Sequence, residues 1–229
     1  MPKGTTKPLA VMLFGPPGAG KGAQAGWIVE ELGFSHLDTG REFERIVHDP
    51  DRQADPNVQR ERQLFDSGQL NTPAWAREMV MERVSQIAQK GESVVLSGSP
   101  RTVFEAEGLL PLLERLYGKD QIYVFFIQVK PETSIFRNSR RRICANGHPL
   151  IWSVENDALT HCPKCDAALR RRTLDTEEAI RTRLVNYQEH TKPVFEYLRQ
   201  RGIHINVIDG EPEPEIVHRS IMEIFKGSA

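Results

Sequence analysis

Four short stretches of the chain, 9–14, 93–96, 122–129 and 203–208, are dominated by apolar residues, and a shorter one lies at 34–37. Runs of this length with little polar alternation read as strands covered on both faces. Between them, apolar residues recur at helical intervals. In 75–90 they are Met79, Val80, Val84, Ile87 and Ala88, one face of a helix. Thr72-Pro73 supplies an N-cap followed by proline at the first helical position. Strands that alternate with helices predict an α/β fold built on a parallel sheet of about five strands.

Two segments break this alternation. Residues 38–72 are polar and charged and carry Asp49-Pro50-Asp51 and Asp55-Pro56. Residues 143–170 hold all three cysteines, two prolines and little helical periodicity. Both read as inserts in one domain whose core is 1–37, 73–142 and 171–229. Beyond them, 175–200 reads as a long helix with Thr176-Glu177-Glu178 in its first turn and Pro193 as a point that splits or kinks it. A last helix is expected over 214–225.

The first strand runs directly into Gly15-Pro16-Pro17-Gly18-Ala19-Gly20-Lys21-Gly22, and a helical pattern opens behind it. Strand, glycine loop and helix form the setting of a phosphate-binding loop. Glycines let successive N–H groups turn inward toward an anion. The helix start adds free N–H groups and a positive dipole end. Lys21 adds a full charge for the outer phosphates. A Ser or Thr is expected after the lysine, and Gly22 stands there, so a metal must be held by another group.

The second insert reads Cys144-Ala-Asn-Gly-His148, thirteen further residues, then Cys162-Pro-Lys-Cys165. Two tight pairs around a spacer are the layout of a tetrahedral zinc site, and four protein ligands make it structural. His161 is the alternative fourth ligand, but it adjoins Cys162. Such a site would staple a segment too small to form its own core.

Arginines cluster around these motifs. Ser99-Pro100-Arg101 follows the third strand, at the edge where α/β sheets place ligands. Arg137 and Arg141 are four apart at the end of a helix, Arg170-Arg171-Arg172 follow the cysteines, and Arg181 and Arg183 lie on the next helix. Positive charge around developing oxyanions is what phosphoryl transfer needs. Thirty Lys and Arg against 31 Asp and Glu give a net charge of −1, which argues against a general nucleic-acid or membrane-surface binder. No apolar run nears the ~20 residues of a membrane span. The polar first residues have no apolar signal region, and clustered cysteines suit a reducing compartment, so a cytoplasmic protein is expected.

Taken together, Gly15-Pro-Pro-Gly-Ala-Gly-Lys-Gly-Ala-Gln, Asp38-Thr39-Gly40, Gly68-Gln-Leu-Asn-Thr-Pro, Gly98-Ser-Pro-Arg-Thr, Arg141-Arg142-Ile-Cys and Arg181-Thr-Arg-Leu-Val resemble adenylate kinases of the zinc-lid type, in order and over nearly the whole chain. The resemblance implies a P-loop core, a monophosphate-binding insert at 38–72, a zinc lid at 143–170, and the reaction ATP + AMP = 2 ADP with magnesium. It implies a monomer that meets ATP and a nucleoside monophosphate. By position, Gly15, Gly18, Ala19, Gly20, Lys21, Gly22 and Ala23 would cradle the ATP phosphates. Arg137 would lie on the ATP base, Arg141 on its phosphates, and Pro212 by the base. Thr39, Gly40, the backbone of Gln69, Leu70 and Asn71, Gly98 and Arg101 would hold the monophosphate, and Arg172 and Arg183 would clamp the transferring group. Lys21, Arg101, Arg141, Arg172 and Arg183 would be catalytic, and Cys144, His148, Cys162 and Cys165 would hold zinc.

The chain departs from that pattern in places. Ala23 replaces a threonine. Ser97 replaces the aspartate that orders water around magnesium. Leu174 replaces an aspartate of the lid hinge. Glu105 aligns with the glutamine that reads the acceptor base, which leaves a base other than adenine open. An arginine expected on the first helix of the insert aligns with Glu44. A carboxylate there would repel the acceptor phosphate, so Arg45 is favoured. A nucleotide-binding protein with weak turnover is the second reading, and a zinc-ribbon module that binds nucleic acid is the third.

Overall fold

The structure, a computed structural model, describes residues 7–146, 148, 150, 158–171 and 175–227. Five parallel strands form the central sheet: β1 (Ala10–Phe14), β2 (Ser35–Asp38), β3 (Val94–Ser97), β4 (Ile122–Gln128) and, after the second insert, β7 (Ile205–Asp209). Their order is β2-β3-β1-β4-β7. β1 is buried along its whole length, as an uninterrupted apolar strand must be.

Strand geometry then divides the core in two. Ala10, Met12 and Phe14 face one side, with Leu37, Val94, Leu96 and Val124. That side is covered by α4 (Pro73–Gln89), α5 (Val103–Tyr117) and α8 (Lys192–Gln200), through Val80, Val84, Leu109, Leu113, Val194 and Leu198. Val11 and Leu13 face the other side, with Val95, Phe125 and Ile127. There α1 (Lys21–Leu32) and α9 (Pro214–Gly227) cover the sheet through Ala25, Ile28, Val217, Ile221 and Phe225. Burial of each such aliphatic side chain stabilises by about 1.5–3 kcal/mol.

The first insert contains two helices that hydrophobic patterning alone does not reveal, α2 (Thr39–Val47) and α3 (Pro56–Asp66). Each starts on an aspartate cap. Asp38 accepts from the Arg41 amide at 3.1 Å, and Asp55 accepts from that of Asn57 at 2.8 Å with Pro56 in the first turn. Their apolar stripes are short: Phe43, Ile46 and Val47 on one, Val58 and Phe65 on the other.

After β4 come α6 (Pro131–Arg140) and an antiparallel pair, β5 (Ile143–Cys144) and β6 (Leu169–Arg170), within the second insert. The expected long helix that follows is two helices. α7 (Glu177–Asn186) and α8 are joined by a π-turn, Tyr187–Thr191, in which the Lys192 amide reaches back five residues to the Tyr187 carbonyl. Pro193 lacks an N–H and its ring crowds the preceding turn, and the wider turn makes room for it. Among the described residues, no helix is long and apolar enough to cross a membrane.

Candidate active site

The glycine loop emerges from the central strand β1, at the carboxyl edge of the sheet. Gly18 has φ +79°, and a Cβ there would lie 2.5 Å from Asn138 Nδ2 and 2.9 Å from the Ser134 carbonyl, so only glycine fits. Ser134 is itself fully buried and donates its hydroxyl to the Pro17 carbonyl, which fixes the loop against α6. Lys21 Nζ donates to the Gly15 and Pro16 carbonyls at 2.7 and 2.9 Å, curled onto its own loop. Burial of the ammonium, followed by the charges of Arg183, Arg101 and Arg141, lowers its pKa to about 7, against a smaller opposing pull from Asp38.

A cleft opens beside this loop. Its wall includes Gly15, Pro17, Lys21, Gly40, Gly68, Gln69, Leu70, Gly98, Arg101 and Arg183. The structure thus brings together residues that lie 168 positions apart in sequence, from Gly15 to Arg183. Arg101 is aimed by its own turn: Nε donates to the Gly98 carbonyl at 2.7 Å. Gly98 has φ +105° and would place a Cβ 2.8 Å from Thr39 Oγ1, so buried Thr39 lies against it. Arg141, capping α6, donates to Asp175 at 2.6 and 3.0 Å, and Arg183 lies 3.8 Å from the same carboxylate. Asp175 is 3 % exposed and joins two arginines from different elements. Arg137 stands apart, donating to the Gly210 and Glu211 carbonyls at 2.8 and 3.1 Å, immediately before Pro212.

Several expected residues are placed otherwise. Arg45 is not brought into the cleft: its side chain is 62 % exposed and pairs with Glu42 at 3.2 Å. The reason is helical rotation. Gly40 lines the cleft, and the residue one turn on is Glu44, not Arg45. Glu44 is 17 % exposed and lies 3.8 Å from Arg170 of the second insert. Glu105 does not line the cleft either. It accepts from the Arg101 amide at 2.9 Å and the Thr102 hydroxyl at 3.2 Å, while Thr102 accepts from the Glu105 amide at 3.1 Å, a variant of the capping box at the start of α5 in which the amide before the cap is the one bound. Burial pushes its pKa up despite these bonds. For Asn71 the expectation concerns the backbone, and its side chain is bonded to Glu61, at 3.0 Å to the carbonyl and 3.1 Å to the carboxylate. Arg172 and Leu174 lie outside the described residues.

Sequence reading had not singled out Asn186, Tyr187 and Thr191, which line the same cleft from the α7–α8 junction. Asn186 Nδ2 donates to the Gly68 carbonyl at 3.2 Å, and Thr191 Oγ1 donates to the Arg101 carbonyl at 3.0 Å. Asp175 was missed as well, one residue past the Leu174 that had been read as a lost carboxylate.

The second insert gathers Cys144, His148, Cys162 and Cys165, whose ligand atoms all lie within 4.8 Å of one another. The Cys144 and Cys165 sulfurs are 3.5 Å apart, and His148 Nδ1 is 3.7 and 3.6 Å from those of Cys144 and Cys162. Tetrahedral zinc with ordinary bond lengths requires about 3.8 Å between sulfurs and about 3.5 Å between sulfur and nitrogen. The set fits zinc. His161 is not part of it; its ring nitrogen bonds Thr160 at 3.0 Å. The insert touches the rest of the chain at Lys164–Glu30, 2.8 Å, and where Arg41 donates to the Ala145 carbonyl at 3.1 Å.

A glycine loop between the central strand and a helix, with a lysine and several arginines converging on the cleft beside it, defines a P-loop nucleotide-binding protein. A family model described as adenylate kinase matches residues 13–203, and the chain belongs to that family. It is 34 % identical over 218 residues to an adenylate kinase of Desulforamulus reducens, covering 94 % of this chain and 99 % of the relative. To an adenylate kinase of Bacillus licheniformis it is 33 % identical, over 95 % of this chain and 98 % of the relative. To one of Streptomyces griseus it is 30 % identical, over 96 % and 99 %.

Proposed function

We propose that this chain transfers a phosphoryl group reversibly between ATP and a nucleoside monophosphate, with AMP as the first acceptor: ATP + AMP = 2 ADP. The observation that carries this is the meeting of Lys21, Arg101 and Arg183 in one cleft, with Arg141 tied to the same side through Asp175. In the reaction an oxygen of the acceptor phosphate bonds to the γ-phosphorus, and the bond from that phosphorus to the β–γ bridging oxygen breaks. The acceptor is already an anion, so no general base is required; positioning and charge neutralisation do the work.

The loop amides and Lys21 bind the donor phosphates, with Arg141 beside them. Arg101 and the backbone of 69–71 hold the acceptor monophosphate. Arg183 lies between the two and neutralises the transferring group. Arg137, fixed to the loop before Pro212, packs on the donor base. The second insert touches α1 and α2, and its closure over bound nucleotides would keep water from taking the phosphoryl group. Cys144, His148, Cys162 and Cys165 would hold a zinc ion that stiffens the insert, and magnesium bound with ATP would spread the charge of its phosphates. The working form is a monomer, and reduced cysteines suit the cytoplasm.

The test is diphosphate formation from ATP and magnesium with AMP, CMP, GMP or UMP offered in turn. AMP is expected to be turned over. Failure with all four refutes the reading, and a preference for another monophosphate corrects the acceptor.

A further inference from the structure

We propose that Asp38, at the carboxyl end of β2, is the carboxylate that anchors the magnesium ion accompanying ATP. This rests on the kinase reading and names one residue within it. Magnesium is a hard cation that takes oxygen ligands, commonly one or two carboxylates together with substrate phosphates and waters. The loop supplies no side-chain oxygen after its lysine, because Gly22 and Ala23 stand there. Ser97, where the resemblance expects an aspartate, is buried, and its hydroxyl is 2.7 Å from His36 Nε2. It carries no charge and its hydroxyl has a partner.

The register of the sheet shows where the charge is instead. Asp38 pairs directly with Ser97 across β2 and β3, and Ser97 pairs with Leu13 of β1, two residues before the loop. The carboxylate therefore stands at the same level of the sheet edge as position 97, one strand further out. Its Oδ1 accepts from the Arg41 amide at 3.1 Å as the cap of α2, and Oδ2 makes no hydrogen bond among the described residues. Of the other acids on this side, Asp175 is held by Arg141 and Arg183, and Glu44 lies 3.8 Å from Arg170. Asp38 is also the acid whose field reaches Lys21 and opposes the three arginines there.

Cap and charge can be separated, since asparagine caps a helix as well as aspartate does. The Asp38→Asn chain is compared with the parent by electron paramagnetic resonance of Mn2+ in the complex with ATP, and by calorimetry of ATP without metal. Mn2+ is expected to bind the Asn variant's complex about 10- to 100-fold more weakly, with metal-free ATP affinity kept within about threefold. The transposed chain, Asp38→Ser with Ser97→Asp, is expected to recover most of the lost Mn2+ affinity. Unchanged Mn2+ affinity in the Asn variant, an equal loss of metal-free ATP binding, or no recovery in the transposed chain overturns the assignment alone. A parent chain that binds no nucleotide overturns it together with the kinase reading.

Discussion

Binding of ATP to this protein at mildly alkaline pH is expected to take up a proton, and Lys21 is the group that takes it. In the free protein its ammonium is buried beside three arginines, and its pKa falls to about 7. At about pH 8, roughly nine in ten of these lysines are neutral. A triphosphate brought against the ammonium supplies the opposite charge that burial and the arginines deny it, which returns the pKa toward its ordinary value. The change amounts to about 0.9 proton per ATP at pH 8, about 0.5 at pH 7 and about 0.1 at pH 6. The nucleotide's own phosphate ionises near pH 6 and adds little at pH 8. Calorimetry in buffers of different ionisation enthalpy gives the number directly, as the slope of observed heat against buffer enthalpy. Lys21→Arg is the control, because guanidinium stays charged throughout and should remove the uptake while preserving binding. No proton uptake by the parent, or equal uptake by Lys21→Arg, refutes the reasoning. The same shift makes the free protein more stable as pH rises from about 7 toward 10.5, because unfolded Lys21 keeps its proton across that window and folded Lys21 does not.

Other predictions concern the scaffold. Chelation should remove one zinc per chain and expose the second insert to proteolysis between 143 and 170 while the sheet core stays folded, as seen by limited digestion and circular dichroism; an insert equally resistant without zinc contradicts the structural role. Glu61, fully buried, accepts from the Thr72 hydroxyl and amide, from Asn71 and from Arg60. Desolvation raises its pKa, but these bonds outweigh that and hold it below 4.5, so its contribution is present above 4.5 and is lost as pH falls through the depressed value. Glu61→Gln should cost about 1–3 kcal/mol in denaturant melts at neutral pH, and the gap to the parent should close in acid.

Legibility from sequence followed how each element is stabilised. Parallel strands are buried on both faces, so β1, β3 and β4 stand out as apolar runs, and the loop and the Cys3His set carry their chemistry in short spacings. The helices α2 and α3 were hidden because few of their residues are apolar; capping aspartates, above all Asp55 before Pro56, were the signal available. Arg45 was favoured by charge, but a step of 100° along α2 turns it outward and leaves Glu44 in line with Gly40. Glu105 was read as a base-reading group, whereas Thr102 three residues earlier marks a capping box. Nothing local in the sequence announces that Asn186, Tyr187 and Thr191 face Gly68 and Arg101, since that contact depends on the packing of α7 and α8 over the sheet.

The bond between Arg141 and Asp175 closes the neck of the second insert, because the chain leaves the core at one of these residues and rejoins it at the other. If the insert closes over bound nucleotide, a clip at its base confines that movement to one line, as a pinned hinge confines a door. The pin is ionic but sheltered, so it should hold as salt concentration rises, while the exposed Lys164–Glu30 contact weakens.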